Sequence, residues 1–201
     1  MLSARDTSQL KLSLDNLCSS SSPLQLDGKA FDVICLQELQ RCVKPNCKHC
    51  HQGKCQNNHA DFAQKYMSRH GYSGDYHKEG KRNSVGLYFK HSSFILVGAK
   101  LHYCPFRSFK GAVLALLRRC RSPSLSTANP QDGLVLIVAL HLSVPLGPSG
   151  RPSTDLPLEE IKQLNMKIQE IYRRNGGKPI PTGRYSRYRH FATCVYIFWV
   201  N

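Results

Sequence analysis

Hydrophobic residues in this chain occur mainly as short continuous runs, separated by segments rich in polar residues, glycine and proline. A run such as Val33-Ile34-Cys35-Leu36 is apolar on both faces and begins with β-branched residues, which is typical of a buried strand. Runs of this kind predict strands at about 31–37, 84–89, 94–98, 112–117 and 134–142.

Two segments show the period of a helix instead. In the first, at about 60–70, apolar residues recur at helical spacing and Gly71 provides a C-terminal stop. In the second, at about 158–173, five apolar residues form one stripe, with Glu and Lys opposite: Leu158, Ile161, Leu164, Ile168 and Ile171. Strands in succession with intermittent helices predict an α/β fold, a sandwich of two sheets with helices on the outer faces.

The segments between these elements suggest a domain organisation. Residues 1–30 are polar and include a serine run, so we expect a loose leader. A single domain is expected over 31–175, interrupted by a loop at 41–58 that is rich in Cys and His. Residues 176–201 form a basic and apolar tail.

Charge and cysteine content narrow the partners and the compartment. The chain of 201 residues has 28 Lys and Arg against 13 Asp and Glu, a formal charge of +15 that attracts polyanions such as RNA. No run approaches the roughly 20 apolar residues of a membrane span, so no membrane partner is expected. Nine cysteines, an odd number, without a secretory signal favour a reduced compartment, the cytoplasm or the nucleus. The sequence leaves the oligomeric state open.

The first predicted strand ends in an acid. Gln37-Glu38 follows the apolar run directly, and a carboxylate at a sheet edge suits Mg²⁺, which takes few protein carboxylates and many waters. The alternative is an ordinary core strand followed by a solvated Gln-Glu pair. Residues 31–38, Phe-Asp-Val-Ile-Cys-Leu-Gln-Glu, resemble the "D-[IV]-[IL]-x-L-Q-E" strand of the endonuclease/exonuclease/phosphatase superfamily. The resemblance implies that Glu38 is a Mg²⁺ ligand.

Further segments match this superfamily in the same order. Gly71 to Arg82 is similar to its "G-Y-x-G-x-Y/F-K…G-K-R" segment, and Ser84 to Lys90 to its "G-x-A-I-F-Y-K" strand. The strand ending Val138-Ala139-Leu140-His141-Leu142 resembles "N-T-H-L" of the deadenylase branch and "A-L-H-S" of the DNase-I branch, and 158–173 matches the helix that follows. The branch of carbon-catabolite-repression deadenylases, nocturnin and Angel proteins is the most similar. It implies a DNase-I-like fold and a Mg²⁺-dependent 3′–5′ exoribonuclease that acts on single-stranded poly(A).

The resemblance also suggests roles for other residues. It implies that His141 binds a phosphate oxygen or protonates a leaving oxygen, since imidazole titrates near neutral pH; a structural histidine is an equal alternative. Asn83 and Tyr72 are candidates for the substrate cleft, although turn and core roles are favoured for both.

The chain departs from the family pattern at both ends. Nothing before Leu26 resembles the opening strand of the superfamily. Where "G-D-F-N" is expected after the helix, the chain reads Gly183-Arg184-Tyr185-Ser186, and "S-D-H" is absent. Arginine cannot ligate Mg²⁺ or act as a base. We therefore expect an incomplete domain with an unpaired sheet edge, and a weakly active or inactive phosphodiesterase. The alternatives are a catalytically dead RNA-binding or regulatory fragment, and a relative of DNase I or the phosphoinositide phosphatases.

The loop at 41–58 offers a second type of metal site. Its thiols and imidazoles suit tetrahedral Zn²⁺, and the candidate ligands are Cys42, Cys47, Cys50 and Cys55. Only Cys47 and Cys50 have C-x-x-C spacing, so a reduced loop without metal is the alternative.

Overall fold

A computed structural model of the chain describes residues 7–19, 30–40, 58–77, 83–106, 110–120, 134–142, 155–175 and 194–199. The helices are α1 (Thr7–Cys18), α2 (His59–Arg69) and α3 (Asp155–Arg174). The strands are β1 (Val33–Gln40), β2 (Tyr72–Tyr76), β3 (Asn83–Lys90), β4 (Phe94–Leu96), β5 (His102–Pro105), β6 (Gly111–Arg119), β7 (Leu134–His141) and β8 (Cys194–Trp199). They form two antiparallel sheets, so the predicted α/β class is confirmed.

The chain divides into two compact units, 1–94 and 95–201. The sheet of the first unit has the order β1-β3-β2, with both pairings antiparallel. Its core contains apolar side chains from α1, α2 and all three strands: Leu10, Leu14, Ile34, Leu39, Ala60, Ala63, Tyr66, Met67, Tyr72, Tyr76 and Tyr88.

Two glycines make room for the Tyr88 ring in this sheet. A Cβ on Gly74 would lie 2.8 Å from Tyr88 Cδ1, and a Cβ on Gly86 would lie 2.8 Å from Tyr88 Cε2. At Gly74 the added atom would also lie 2.1 Å from the Leu87 carbonyl oxygen, which is backbone and cannot move aside. The first sheet is therefore built around side-chain-free positions that let a large aromatic ring lie flat against its strands.

Helix α1 corrects the prediction of a loose leader. Leu10 and Leu14 are one helical turn apart, and both are buried in the core of the first unit. The Tyr66 hydroxyl of α2 donates a hydrogen bond to the Asp15 carboxylate of α1, which joins the two helices. The polar composition of this segment concealed the apolar stripe, because charged and hydroxyl residues occupy the other faces of the helix.

The second unit is organised around the β6–β7 pair. The sheet has the order β4-β6-β7-β8, and β5 also pairs with β6. Alternate residues of β6 and β7 face α3 and form one core with it: Ala112, Leu114, Leu116, Leu136, Val138, Leu140, Leu164, Ile168, Ile171 and Tyr172. The residues between them are buried as well: Val113, Ala115, Leu117, Val135, Ile137 and Ala139. Burial on both faces explains why these two strands have apolar runs without alternation.

Strand β8 forms one edge of this sheet. It lies antiparallel to β7, with Val135 opposite Trp199 and Leu140 opposite Cys194. The aromatic and β-branched sequence Cys-Val-Tyr-Ile-Phe-Trp is strongly strand-forming, and it supplies the backbone partners that β7 needs on this side.

The strongly patterned elements were predicted correctly, with boundaries shifted by a few residues. Strands β2, β5 and β8 were missed. β2 carries Ser, Gly and Asp, and β5 ends in a proline, so neither shows a clear strand pattern. Among the described residues, no helix is long and apolar enough to cross a membrane.

Candidate functional site

Glu38 lies in a β-bulge of the first sheet. β1 pairs regularly with β3 up to Leu36, which is opposite Gly86, but Leu39 is opposite Ser84. Gln37 and Glu38 therefore share a single opposing residue, Val85. A bulge adds one residue to a strand, bends it and redirects side chains, and bulges are common beside active sites.

The bulge separates Glu38 from the apolar face of its strand. Ile34, Leu36 and Leu39 all belong to the core of the first unit. With strict alternation after Leu36, the next inward position would be Glu38, whereas the extra residue gives that position to Leu39. Glu38 is half-buried. The sequence therefore keeps a carboxylate at the end of a buried strand without driving it into the core.

Glu38 has a strained backbone. Its φ of 53° is the only positive φ at a residue other than glycine in the part of the chain that the structure describes. This left-handed conformation costs an ordinary L-residue about 1–2 kcal/mol. Strain of this kind clusters at functional sites, where the surrounding structure imposes it.

Two further residues lie at the same end of the first sheet. Asn83 begins β3 and pairs with Gln40, so its backbone is close to the bulge. The backbone N–H of His77 donates to the carbonyl oxygen of Val85, the residue that the bulge faces, at 2.7 Å. The His77 side chain is buried. Sequence reasoning missed His77; its place directly after the "G-Y-x-G-x-Y" match was the signal available.

Tyr72 lies at the opposite end of the sheet from Asn83. It pairs with Lys90, at the far end of β3 from Asn83. Its ring is only 2% exposed, and its hydroxyl donates to the carbonyl oxygen of Phe31 at 2.6 Å. Burial raises the pKa of this phenol. A buried phenol that is bonded to backbone is typical of a core residue, the role that the sequence analysis favoured for Tyr72.

His141 belongs to the second unit, at the end of β7. It is 4% exposed and pairs with Gly111, the first residue of β6. The ammonium nitrogen of Lys110 lies 2.9 Å from His141 Nε2. The histidine predicted from the strand pattern is thus in direct contact with a lysine that precedes the neighbouring strand.

A basic surface covers α3 and β5 in the same unit. Glu170 receives a hydrogen bond from Lys167 at 2.9 Å and forms an ion pair with Arg174 at 2.7 Å. The hydrogen bond from Lys167 is the main reason that the pKa of Glu170 is lowered. Burial lowers the pKa of His102, and Lys167 lowers it further. We call Lys100, His102, Lys167, Glu170 and Arg174 the α3–β5 basic surface.

The predicted zinc ligands lie outside the described residues, as do Arg184 and Ser186. Within the described ranges, no three His, Cys, Asp or Glu side chains converge on a point that could hold a metal. Among the described cysteines, Cys18, Cys35, Cys104 and Cys120 form no disulfide. Burial raises the pKa of Cys35 to about 12 and that of Cys104 to about 11, so neither is a thiolate nucleophile at neutral pH.

The chain is similar to solved structures of two proteins. One is ANGEL2, a 2′,3′-cyclic phosphatase, in complex with adenosine-2′,3′-vanadate: the identity is 20%, the TM-score is 0.49, and the match covers 73% of this chain and 36% of that one. The other is the human nocturnin catalytic domain with bound sulfate: 15% identity, a TM-score of 0.42, and coverage of 83% and 68%. This chain thus spans about a third of the length of ANGEL2.

Neither a protein-family model nor a curated protein sequence matches the chain. Angel proteins and nocturnin are also the proteins that the sequence motifs resemble.

Proposed function

We propose that this chain carries the metal-binding part of a Mg²⁺-dependent phosphodiesterase of the 3′–5′ exoribonuclease type, directed at poly(A), and that the chain alone binds RNA and cleaves it weakly. The observation that carries this proposal is Glu38, which lies in a strained bulge at the end of a buried strand. A structural surface acid needs neither the bulge nor the strain.

The bulge offers Mg²⁺ a single carboxylate ligand, that of Glu38. A carboxylate is a suitable ligand for this hard cation, which usually keeps several waters and takes only one or two carboxylates together with substrate phosphate oxygens. Glu38 would be the protein ligand, and the backbone of Asn83 pairs with Gln40, two residues after Glu38. When bound, the metal would supply positive charge to a phosphodiester oxygen. A lone carboxylate competes poorly with water, which supports weak cleavage.

The basic surface supports RNA as the ligand. Lys100, Lys167 and Arg174 outnumber the single carboxylate of Glu170, so the α3–β5 basic surface has a net positive charge. Contacts from lysine and arginine to phosphate are tolerant of base sequence and sensitive to salt. RNA as a ligand agrees with the proposed cytoplasmic or nuclear location.

A second candidate function is RNA binding or regulation without any catalysis. The observation that favours it is Arg184, which stands where the family pattern has the aspartate that orients water. A guanidinium cannot replace that carboxylate, because it donates hydrogen bonds and keeps its charge.

Labelled oligo(A) RNA tests the proposal in two steps. Affinity is first measured against salt concentration; the expected dependence is a slope of about −0.7 per phosphate contact in a plot of log K against log salt. The length of the RNA is then followed with Mg²⁺ or with EDTA, for the wild type, Glu38→Gln and the matched control Glu159→Gln, which changes an exposed acid on α3.

We expect salt-sensitive binding by all three proteins, and slow trimming that only Glu38→Gln removes. Rapid trimming by the wild type that Glu38→Gln abolishes would show a competent enzyme and refute weak cleavage. Binding without any Mg²⁺-dependent trimming would favour the second candidate. Absence of binding at low salt would refute RNA as the ligand.

A further inference from the structure

Lys110 and His141 are brought together by the register of the second sheet. His141 is the last residue of β7, and its partner across the pair is Gly111. Lys110 precedes Gly111 directly, so its side chain starts beside the imidazole although the two residues are 31 positions apart in the chain. His141 is buried and Lys110 is half-buried, which shields their contact from bulk water.

The contact joins the lysine ammonium to one particular ring nitrogen, Nε2, at 2.9 Å. A single hydrogen must lie between the two nitrogens, because two donors cannot share a hydrogen bond. In model peptides a lysine keeps its proton up to about pH 10.4 and a histidine up to about pH 6.5, a preference of roughly 10⁴-fold for the proton to remain on lysine. Lysine has no acceptor when charged, whereas a neutral imidazole has one.

We infer that Lys110 is a positioning residue for His141: it donates to Nε2 and thereby holds the imidazole in the neutral tautomer with hydrogen on Nδ1. A protonated ring has hydrogen on both nitrogens and cannot accept this bond. The other neutral tautomer, with hydrogen on Nε2, cannot accept it either. Nδ1, the ring nitrogen that does not contact Lys110, therefore carries the hydrogen and is an N–H donor.

This tautomer limits what His141 can do at a phosphate. While the contact persists, Nε2 is occupied by Lys110 and holds no proton to give to a leaving oxygen. His141 is then not a general acid through Nε2, and Nδ1, the nitrogen that carries the hydrogen, is itself buried. This consequence for the substrate rests on the proposed function, whereas the tautomer itself does not.

Nitrogen NMR of the imidazole tests the inference on the folded chain. Long-range ¹H–¹⁵N spectra of ¹⁵N-histidine-labelled protein at pH 7.5 distinguish a protonated ring nitrogen from an unprotonated one. We expect a protonated Nδ1 and an unprotonated Nε2 for His141, the reverse of the tautomer that free histidine prefers. A His141 ring with hydrogen on Nε2, or on both nitrogens, would overturn the inference.

Substitutions at position 110 test whether lysine causes the tautomer. Lys110→Met keeps an unbranched side chain but removes the donor, so we expect at least a severalfold shift in tautomer ratio toward Nε2–H. Lys110→Arg restores a charged donor and should restore the Nδ1–H form. The matched control Lys162→Met removes the same charge from an exposed position on α3 and should leave the His141 spectrum unchanged.

An unchanged tautomer in Lys110→Met would refute the positioning role. If that variant fails to fold, the wild-type spectrum and the Lys110→Arg spectrum still decide the question. Oligo(A) affinity measured on the same proteins separates this inference from the proposed function. A wild type with the Nδ1–H tautomer and no RNA affinity would support the first and refute the second.

Discussion

The two sheets of this protein present an ionisable residue at the end of a strand in different ways. In the first unit, the β1–β3 pairing loses its register between Leu36 and Leu39, and Glu38 takes a left-handed backbone conformation inside the bulge. In the second unit, β6 and β7 pair without interruption from Arg118 opposite Leu134 to Gly111 opposite His141.

The difference shows where each residue gets its orientation. Glu38 is directed by backbone geometry, which costs conformational energy. His141 has an unstrained strand position, and a neighbouring side chain, Lys110, fixes its hydrogen-bonding state. Replacing Lys110 should therefore change the hydrogen-bonding state of His141, whereas the orientation of Glu38 should change mainly when the backbone of the bulge changes.

The largest expected effect concerns the glycines on which the first sheet is built. Gly74→Ala would place a Cβ 2.1 Å from the Leu87 carbonyl oxygen, so we expect a loss of about 3 kcal/mol in the free energy of unfolding. Gly71→Ala is the matched control, because its φ is +80° but no atom lies within 4 Å. It should cost only about 1 kcal/mol. Urea denaturation followed by circular dichroism measures both, and equal losses would contradict this account of the sheet.

A smaller effect should reveal the strain at the bulge. Because glycine adopts positive φ without penalty, Glu38→Gly should be more stable than Glu38→Ala by about 0.5–1 kcal/mol. At Gln40, an exposed position of the same strand without positive φ, the order should reverse, with alanine better by about 0.5–1 kcal/mol.

The four variants at positions 38 and 40 form one comparison in urea denaturation. The diagnostic result is that the difference in free energy of unfolding between the glycine and alanine variants has opposite signs at positions 38 and 40. General effects of glycine on the unfolded chain are the same at both positions and cannot produce this reversal. Alanine more stable than glycine at both positions would mean that Glu38 is not strained.

Sequence patterns predicted the parts of the fold that depend on strong periodicity. The apolar runs of β1, β3, β6 and β7 were recognised because burial demands them. The α3 stripe was recognised by its period, although only Leu164, Ile168 and Ile171 are buried, whereas Leu158 and Ile161 are exposed. Glu38 and His141 were proposed as site residues mainly from the resemblance of their strands to those of the superfamily. α1 was missed because its apolar stripe is narrow and lies in a serine-rich segment.

The finer features of the site depend on contacts between distant segments. The bulge had a signal in the sequence, since apolar residues at 34, 36 and 39 break a period of two by one residue. The contact of Lys110 with His141 had none, because it requires the exact register of β6 against β7.

The central claim is that the Glu38 bulge binds a divalent cation. Mn²⁺ is a paramagnetic substitute for Mg²⁺ that also prefers carboxylate and water ligands, and it broadens the NMR signals of nearby amides. We predict that Mn²⁺ selectively broadens the amide signals of residues 37–40 and 83–86 in the wild type and in Glu159→Gln, and that Glu38→Gln removes this broadening. Broadening that is centred on other residues, or that persists in Glu38→Gln, would contradict the claim.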